Sequence, residues 1–185
     1  MKLMRKYSVL ILCGIFLSVT LALTTAAVLA ESASGLLWTM PVGWKSEGPR
    51  PMRAATYSVP AAPGDQSGGE VVINYFGPGQ GGSIDANIER WKGQMQGPDG
   101  KPAAATIAKR SVRGIAMTTI EASGTYSGMG GPMAPSKPVQ GYRLLGAIVE
   151  GPGGNVFVKF TGPAKTVSAN QQKFDQLLAS FQREK

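Results

Sequence analysis

The sequence predicts an α+β fold, an antiparallel β-sheet of about six to seven strands flanked by two main α-helices. Three observations carry this. Runs rich in branched and aromatic residues follow one another through Gly- and Pro-containing links too short for parallel crossovers. A stretch in mid-chain places Ile84, Ile88, Trp91 and Met95 at i, i+4, i+7 and i+11, one stripe of a helix. A second amphipathic stretch closes the chain, so each helix has an apolar face that a sheet must cover.

The 185-residue chain opens with a basic start, Lys2, Arg5 and Lys6, followed by an apolar run to Ala30. Val28-Leu29-Ala30 before the polar Glu31 and Ser32 reads as a signal-peptide end, so residues 1–30 are expected to be a leader that is cut. Two alternatives stay open: the apolar run is long enough to serve as an uncleaved anchor facing outward, and Cys13 offers a site for lipid attachment. Either way the remainder, 31–185, is expected to be a single exported domain, periplasmic or secreted.

Within it, Glu31 to Gly35 reads as a short polar lead. Leu36 to Thr39 reads as a strand and Pro41-Val42-Gly43-Trp44 as a turn, with Trp38 and Trp44 plugging one end of the core. Met52 to Val59 alternates Ala54, Thr56 and Ser58 against Ala55, Tyr57 and Val59, a strand. Pro60 to Gly69 is a loop, and Glu70 to Phe76 is the clearest strand. A glycine-rich turn, Gly77 to Gly82, leads into the helix from Ser83 to Gln96, stopped by Gly97-Pro98-Asp99-Gly100. Strands are expected at Ala105–Val112, Ile115–Tyr126, Tyr142–Glu150 and Asn155–Thr161. Residues 127–141 form a Gly/Pro/Met loop, longer than a hairpin needs and flexible. The last helix is capped at Thr161 or Gly162, with Pro163 in its first turn and Val167, Phe174, Leu177, Leu178 and Phe181 as its apolar face. Lys173, Arg183 and Lys185 would favour the negative end of its dipole.

The W-x-x-P-x-G-W opening (Trp38, Pro41, Gly43, Trp44), the strand pair before one amphipathic helix, the meander, and the ending K-F-T-G-P with F-x-x-L-L-x-S-F (Lys159 to Pro163, Phe174 to Phe181) resemble the PsbP/Mog-type sandwich domain. The likeness covers about Leu36 to Phe181. That group includes photosystem-associated lumenal proteins, a nuclear GTPase-binding protein and exported bacterial lipoproteins, so the resemblance implies non-catalytic binding. It carries no binding residue over to this chain.

Composition narrows the chemistry. The chain has one cysteine, Cys13, and no histidine. The exported part therefore has no disulfide, no Cys/His zinc site, no Ser-His-Asp triad and no imidazole proton shuttle. No cofactor and no metal are expected. Without the three leader cations the domain carries a net charge of about +5, which suits an envelope protein or an anionic surface as partner; nucleic acid is not expected. The reading that results is a non-enzymatic binding or accessory domain of the bacterial envelope. The alternative is a histidine-free hydrolase working with carboxylates, for which Glu70, Asp85, Glu89, Glu121 and Glu150 are the acids available; their spacing makes no motif.

Two surfaces are candidates for binding. Asn87, Arg90 and Gln94 lie along one side of the helix and, with Arg53 and Tyr75 from neighbouring strands, would form a polar cleft where the helix leaves the sheet. The plain alternative has Arg90 paired to a nearby carboxylate or carbonyl and Trp91 in the core. Gly77-Pro78-Gly79-Gln80-Gly81-Gly82 matches G-x-G-x-x-G, but the following segment supplies neither the parallel strand nor the acid of a dinucleotide site. What survives is an anion loop at Gly79, Gly81, Gly82 and Ser83, opposed by Asp85. Met129 and Met133 without a histidine or cysteine make thin ligands for monovalent copper.

Overall fold

The structure is a computed structural model and describes residues 31–48, 50–128 and 137–185. The leader with Cys13, and Met129 and Met133 of the long loop, lie outside the described residues.

In chain order the elements are β1 (Glu31–Ala33), β2 (Leu36–Trp38), β3 (Lys45–Ser46), β4 (Arg53–Val59), β5 (Gly69–Asn74), α1 (Ile84–Gly93), β6 (Met95–Gln96), β7 (Ala105–Val112), β8 (Ile115–Tyr126), β9 (Val139–Gly151), β10 (Gly154–Pro163), α2 (Ala164–Ala169), α3 (Gln171–Ser180) and β11 (Gln182–Arg183). The main sheet has eight strands in the order β3-β4-β5-β10-β9-β8-β6, with β7 also paired to β8; β1, β2 and β11 make a small second sheet. Every pairing is antiparallel. The α+β class and the flanked antiparallel sheet are as the sequence predicts.

Period-two alternation divides the sheet into two faces. On one, Tyr57, Val71, Ile73, Val158 and Phe160 meet Phe174, Leu177, Leu178 and Phe181 of the C-terminal helices, and Trp38 and Trp44 close the end of this core. On the other, Leu144, Ile148, Phe157 and Ile120 meet Ile88 and Trp91 of α1 and Met95 beyond it. The helix can approach closely because β9 has no side chain at Gly146. A Cβ there would stand 2.6 Å from the Trp91 ring.

Four expectations are corrected. The lead residues Glu31 to Ala33 form a strand paired to β2, anchored where the buried Tyr57 hydroxyl donates to the Glu31 carboxylate and accepts from Trp38 Nε1 at 2.8 Å. The mid-chain helix ends at Gly93, because Met95 and Gln96 leave it to pair with Tyr126 and Thr125. The C-terminal helix is two helices. Strand β10 runs through Pro163, and the break comes at Asn170, whose side chain accepts from Trp44 Nε1 at 3.1 Å and donates to the Thr166 carbonyl at 3.0 Å. Arg183 therefore sits in β11 and Lys185 beyond it, outside the last helical turn. The strand count is also higher than expected, since two-residue strands such as β3 and β6 leave almost no periodic signal.

Candidate functional site

Helix α1 covers the β8-β9-β10 side of its face and leaves the β4-β5-β10 side open, so a cleft of about 410 Å³ runs beside it. Cross-strand register supplies its floor. Thr161 of β10 lies opposite Glu70, Lys159 opposite Val72 and Phe157 opposite Asn74. On the next strand Ser58, Thr56 and Arg53 continue those three rows. Arg90 and Trp91 of α1, with Phe76 and Tyr126, form the wall.

Arg53 reaches this face through an irregularity. Simple alternation along β4 puts Arg53 with Ala55 and Tyr57, pointing into the opposite core. The register shifts between Arg53 and Ala55, and the bulge turns the guanidinium onto the α1 side. There Arg53 Nη1 donates to Glu70 Oε1 at 3.1 Å. Met52 just before it takes φ 62°, a left-handed conformation unusual for a side chain of this size. Asn74 Nδ2 holds that turn by donating to the Met52 carbonyl at 2.8 Å. Met52, 70% exposed, stands at the mouth of the cleft.

Lys159 is the inner cation. Its ammonium donates to Gln94 Oε1 at 3.3 Å and to the Tyr126 hydroxyl at 3.4 Å, both neutral acceptors. Among the described residues it makes no ion pair. Burial first, then the charge of Arg90, lowers its pKa to about 8; Glu70 pulls the other way and Arg53 adds to the lowering. Burial likewise raises the Tyr126 hydroxyl, which stays protonated, and its ring stacks on Tyr142 with centroids 5.9 Å apart. Gln94 Nε2 and Ser127 Oγ are buried with no hydrogen-bond partner among the described residues, and the Ser127 amide donates to the Gln94 carbonyl. Gln94, hydrogen-bonded to Lys159 through its oxygen, thus has an amide donor to spare.

The five residues expected to form the cleft divide into three groups. Arg53 and Arg90 do face it. Asn87 and Gln94 are buried, at 2% and 6% exposure, and not on an open helix side. Asn87 Nδ2 donates to the Gly81 and Ser83 carbonyls at 2.8 Å each, fixing the glycine turn, and its Oδ1 accepts from Arg90 Nη2; Gln94 acts through Lys159. Tyr75 belongs to the other side of the sheet. It packs against the core beneath the C-terminal helices and donates to the Gly153 carbonyl at 2.8 Å, because residues 71, 73 and 75 share the parity that α1 does not see. Lys159 and Tyr126 line the cleft in addition to the residues the sequence marks. The available signal was a lysine in V-F-V-K-F whose neighbours Val158 and Phe160 point one way, leaving Lys159 with Phe157 on the helix-covered face.

The glycine turn has a packing role. Gly79, Gly81 and Gly82 all have positive φ, and a Cβ on Gly81 would meet Phe157 at 2.6 Å. Ser83 spends its hydroxyl accepting from the Ala86 amide at 3.2 Å as the α1 N-cap. Of the five acids considered for hydrolysis, Glu70 pairs with Arg53, Glu89 with Lys92 and Glu121 with Arg143. Asp85 and Glu150 border a separate hollow of about 270 Å³ together with Lys109 and Arg110. No group of three or more potential metal ligands occurs among the described residues, and no described helix is long and apolar enough to cross a membrane.

No family model and no curated protein matches the chain. In structure it is similar to the solution structure of cyanobacterial PsbP from Synechocystis sp. PCC 6803, at 12% identity and a TM-score of 0.48 over 84% of this chain and 90% of that one. It is also similar to PA94 of Pseudomonas aeruginosa, a protein of unknown function, at 10% identity and a TM-score of 0.44 over 82% of this chain and 94% of the other. At these levels the α+β class rests on the chain's own strand order, helix placement and two cores.

Proposed function

We propose that the chain is an exported, non-enzymatic binding or accessory domain of the bacterial envelope, and that it holds an anionic group in the cleft beside α1. One observation carries the binding half: Arg53, Arg90 and Lys159 face a single cleft against one carboxylate, Glu70, which Arg53 already pairs. Converging cations whose charge is not matched within the fold are stabilised by a bound anion. The volume lies within the range of small-molecule sites, roughly 300–1,000 Å³. Export is supported by the leader-like residues 1–30 and by a remainder free of cysteine.

Titration with inorganic phosphate and with acetate, followed by NMR at the Arg90 and Trp91 side chains and the Lys159 amide, tests the cleft. Saturable shifts confined to these positions and lost in Arg90→Ala are expected. Shifts that spread evenly over the basic surface, or none at millimolar anion, would remove the cleft from the proposal. The mass of the protein taken from its native host tests export: a start at Glu31 is expected, whereas an intact leader or a lipid on Cys13 supports the membrane-attached alternative.

A further inference from the structure

Lys159 differs from the chain's paired lysines in what surrounds its nitrogen. Lys45 and Lys92 approach carboxylates, Glu47 at 3.8 Å and Glu89 at 3.4 Å. Lys159 instead lies on the strand between β5 and β9, beside two neutral acceptors, in a cleft it shares with two guanidinium groups. The one carboxylate there, Glu70, is engaged by Arg53. A lysine that is desolvated and set among cations gives up its proton more readily, which is how proteins prepare nitrogen nucleophiles for carbonyl carbon.

We infer that Lys159 is a carbonyl-capturing amine and that the cleft takes small anions bearing an aldehyde or ketone, the anion held by Arg53 and Arg90 and the carbonyl carbon joined reversibly to Nζ. This rests on the reading of the cleft as an anion site and specifies its ligand. With a pKa of about 8, about a quarter of the amine is free at pH 7.5, against roughly one part in a thousand for an ordinary lysine.

The chemistry needs no cofactor. The Nζ lone pair forms a C–N bond as the carbonyl π pair moves to oxygen. The proton leaving nitrogen reaches that oxygen and gives a carbinolamine. A second proton transfer expels the hydroxyl as water and leaves a C=N imine. Amine and carbonyl become imine and water, and nothing is oxidised or reduced. The Tyr126 hydroxyl, which accepts from Nζ at 3.4 Å, is placed to relay that proton, taking the one nitrogen loses as it passes its own to the departing oxygen. Gln94 Nε2, buried without a partner among the described residues, is a neutral donor beside the same nitrogen.

The test uses the folded chain with limiting glyoxylate, an anionic aldehyde, or propanal, an uncharged one, at pH 7.5 with cyanoborohydride present, followed by peptide mapping. Glyoxylate is expected to label Lys159 roughly tenfold ahead of Lys45, whose side chain is 79% exposed. Arg90→Ala should slow glyoxylate labelling of Lys159 more than propanal labelling, which falls only as far as the amine regains its proton once the Arg90 charge is gone, and Lys159→Arg, which keeps the charge, should lose the labelled peptide. Labelling of Lys159 no faster than Lys45 by either aldehyde overturns the inference; if phosphate still shifts Arg90 in that case, the anion cleft itself survives. Selective labelling of Lys159 with no preference for glyoxylate overturns the anionic ligand class and the cleft reading with it.

Discussion

Trp91 of α1 lies against the backbone of Gly146 in β9: a Cβ on that glycine would come within 2.6 Å of ring atom Cζ3 and 2.7 Å of Cε3, and 2.8 Å from Ile120. Glycine is thus required by the helix above it. Gly146→Ala forces α1 outward or Trp91 off its rotamer, and overpacking of this kind costs about 1–3 kcal/mol. A lower urea midpoint and a red-shifted Trp91 emission are expected; an unchanged midpoint would mean that the helix seats elsewhere.

The core beneath the C-terminal helices depends on a polar contact at its edge. Trp44 Nε1 donates to Asn170 Oδ1 at 3.1 Å, with both residues buried. Asn170→Ala leaves that indole N–H unpaired, at a cost of about 1–3 kcal/mol, while the Thr166 carbonyl keeps the residue-170 amide at 3.2 Å. Trp44→Phe added to Asn170→Ala should cost less than the sum of the two single changes, because the unpaired donor is gone. Strict additivity in a thermal double-mutant cycle would show that the pair is not coupled.

How much of this could be read from the residues follows from which signals are local. Ile88, Trp91 and Met95 announced the face of α1, and V-V-I-N-Y-F announced a central strand, because periodicity reports burial directly. The break at Asn170 was hidden: Q-Q-K-F-D-Q-L-L-A-S continues a helical pattern, and the partner that holds the break, Trp44, lies 126 residues away. Arg53 belongs to the cleft although alternation alone sends it to the opposite face; the bulge that turns it, next to Met52 at positive φ, has no mark in the sequence. Tyr75 falls on the other face because it shares the parity of Val71 and Ile73, which pack against the C-terminal helices. Nothing local marks Lys159, because its setting comes from Arg53, Arg90 and Gln94, which only the tertiary fold brings to the same place.

The sequence groups Asn87 with Arg90 on one side of the helix as cleft residues. The structure separates them. Asn87 is buried and holds two carbonyls of the glycine turn, whereas Arg90 is exposed. Asn87→Ala should lower stability by about 1–3 kcal/mol by leaving the Gly81 carbonyl without its donor, the Ser83 carbonyl keeping the residue-87 amide, and Arg90→Ala should leave the melting temperature nearly unchanged. Equal and small effects in thermal unfolding would return Asn87 to the list of binding residues.

Lys159 also gives folding a pH signature with a definite sign. Its pKa is about 8 in the fold against 10.5 ordinarily, lowered by burial and then by Arg90 on α1 and Arg53 on β4, with Glu70 on β5 opposing. Between those values the unfolded chain binds more protons, so stability rises with pH from about 8 upward and is lowest, as far as this group goes, below 8. The buried Tyr57 works in the other direction, because burial and the Glu31 contact raise its hydroxyl, and stability falls once unfolded tyrosine ionises near pH 10. The clean window is therefore pH 8 to about 9.5. Urea titrations there should show a gain of order 1 kcal/mol after allowing for partial solvent screening. Lys159→Met should be more stable than the parent at pH 7 and should flatten the rise. A parent chain whose stability is level or falling across that window would show that Lys159 is not desolvated, and the activated amine would lose its physical basis.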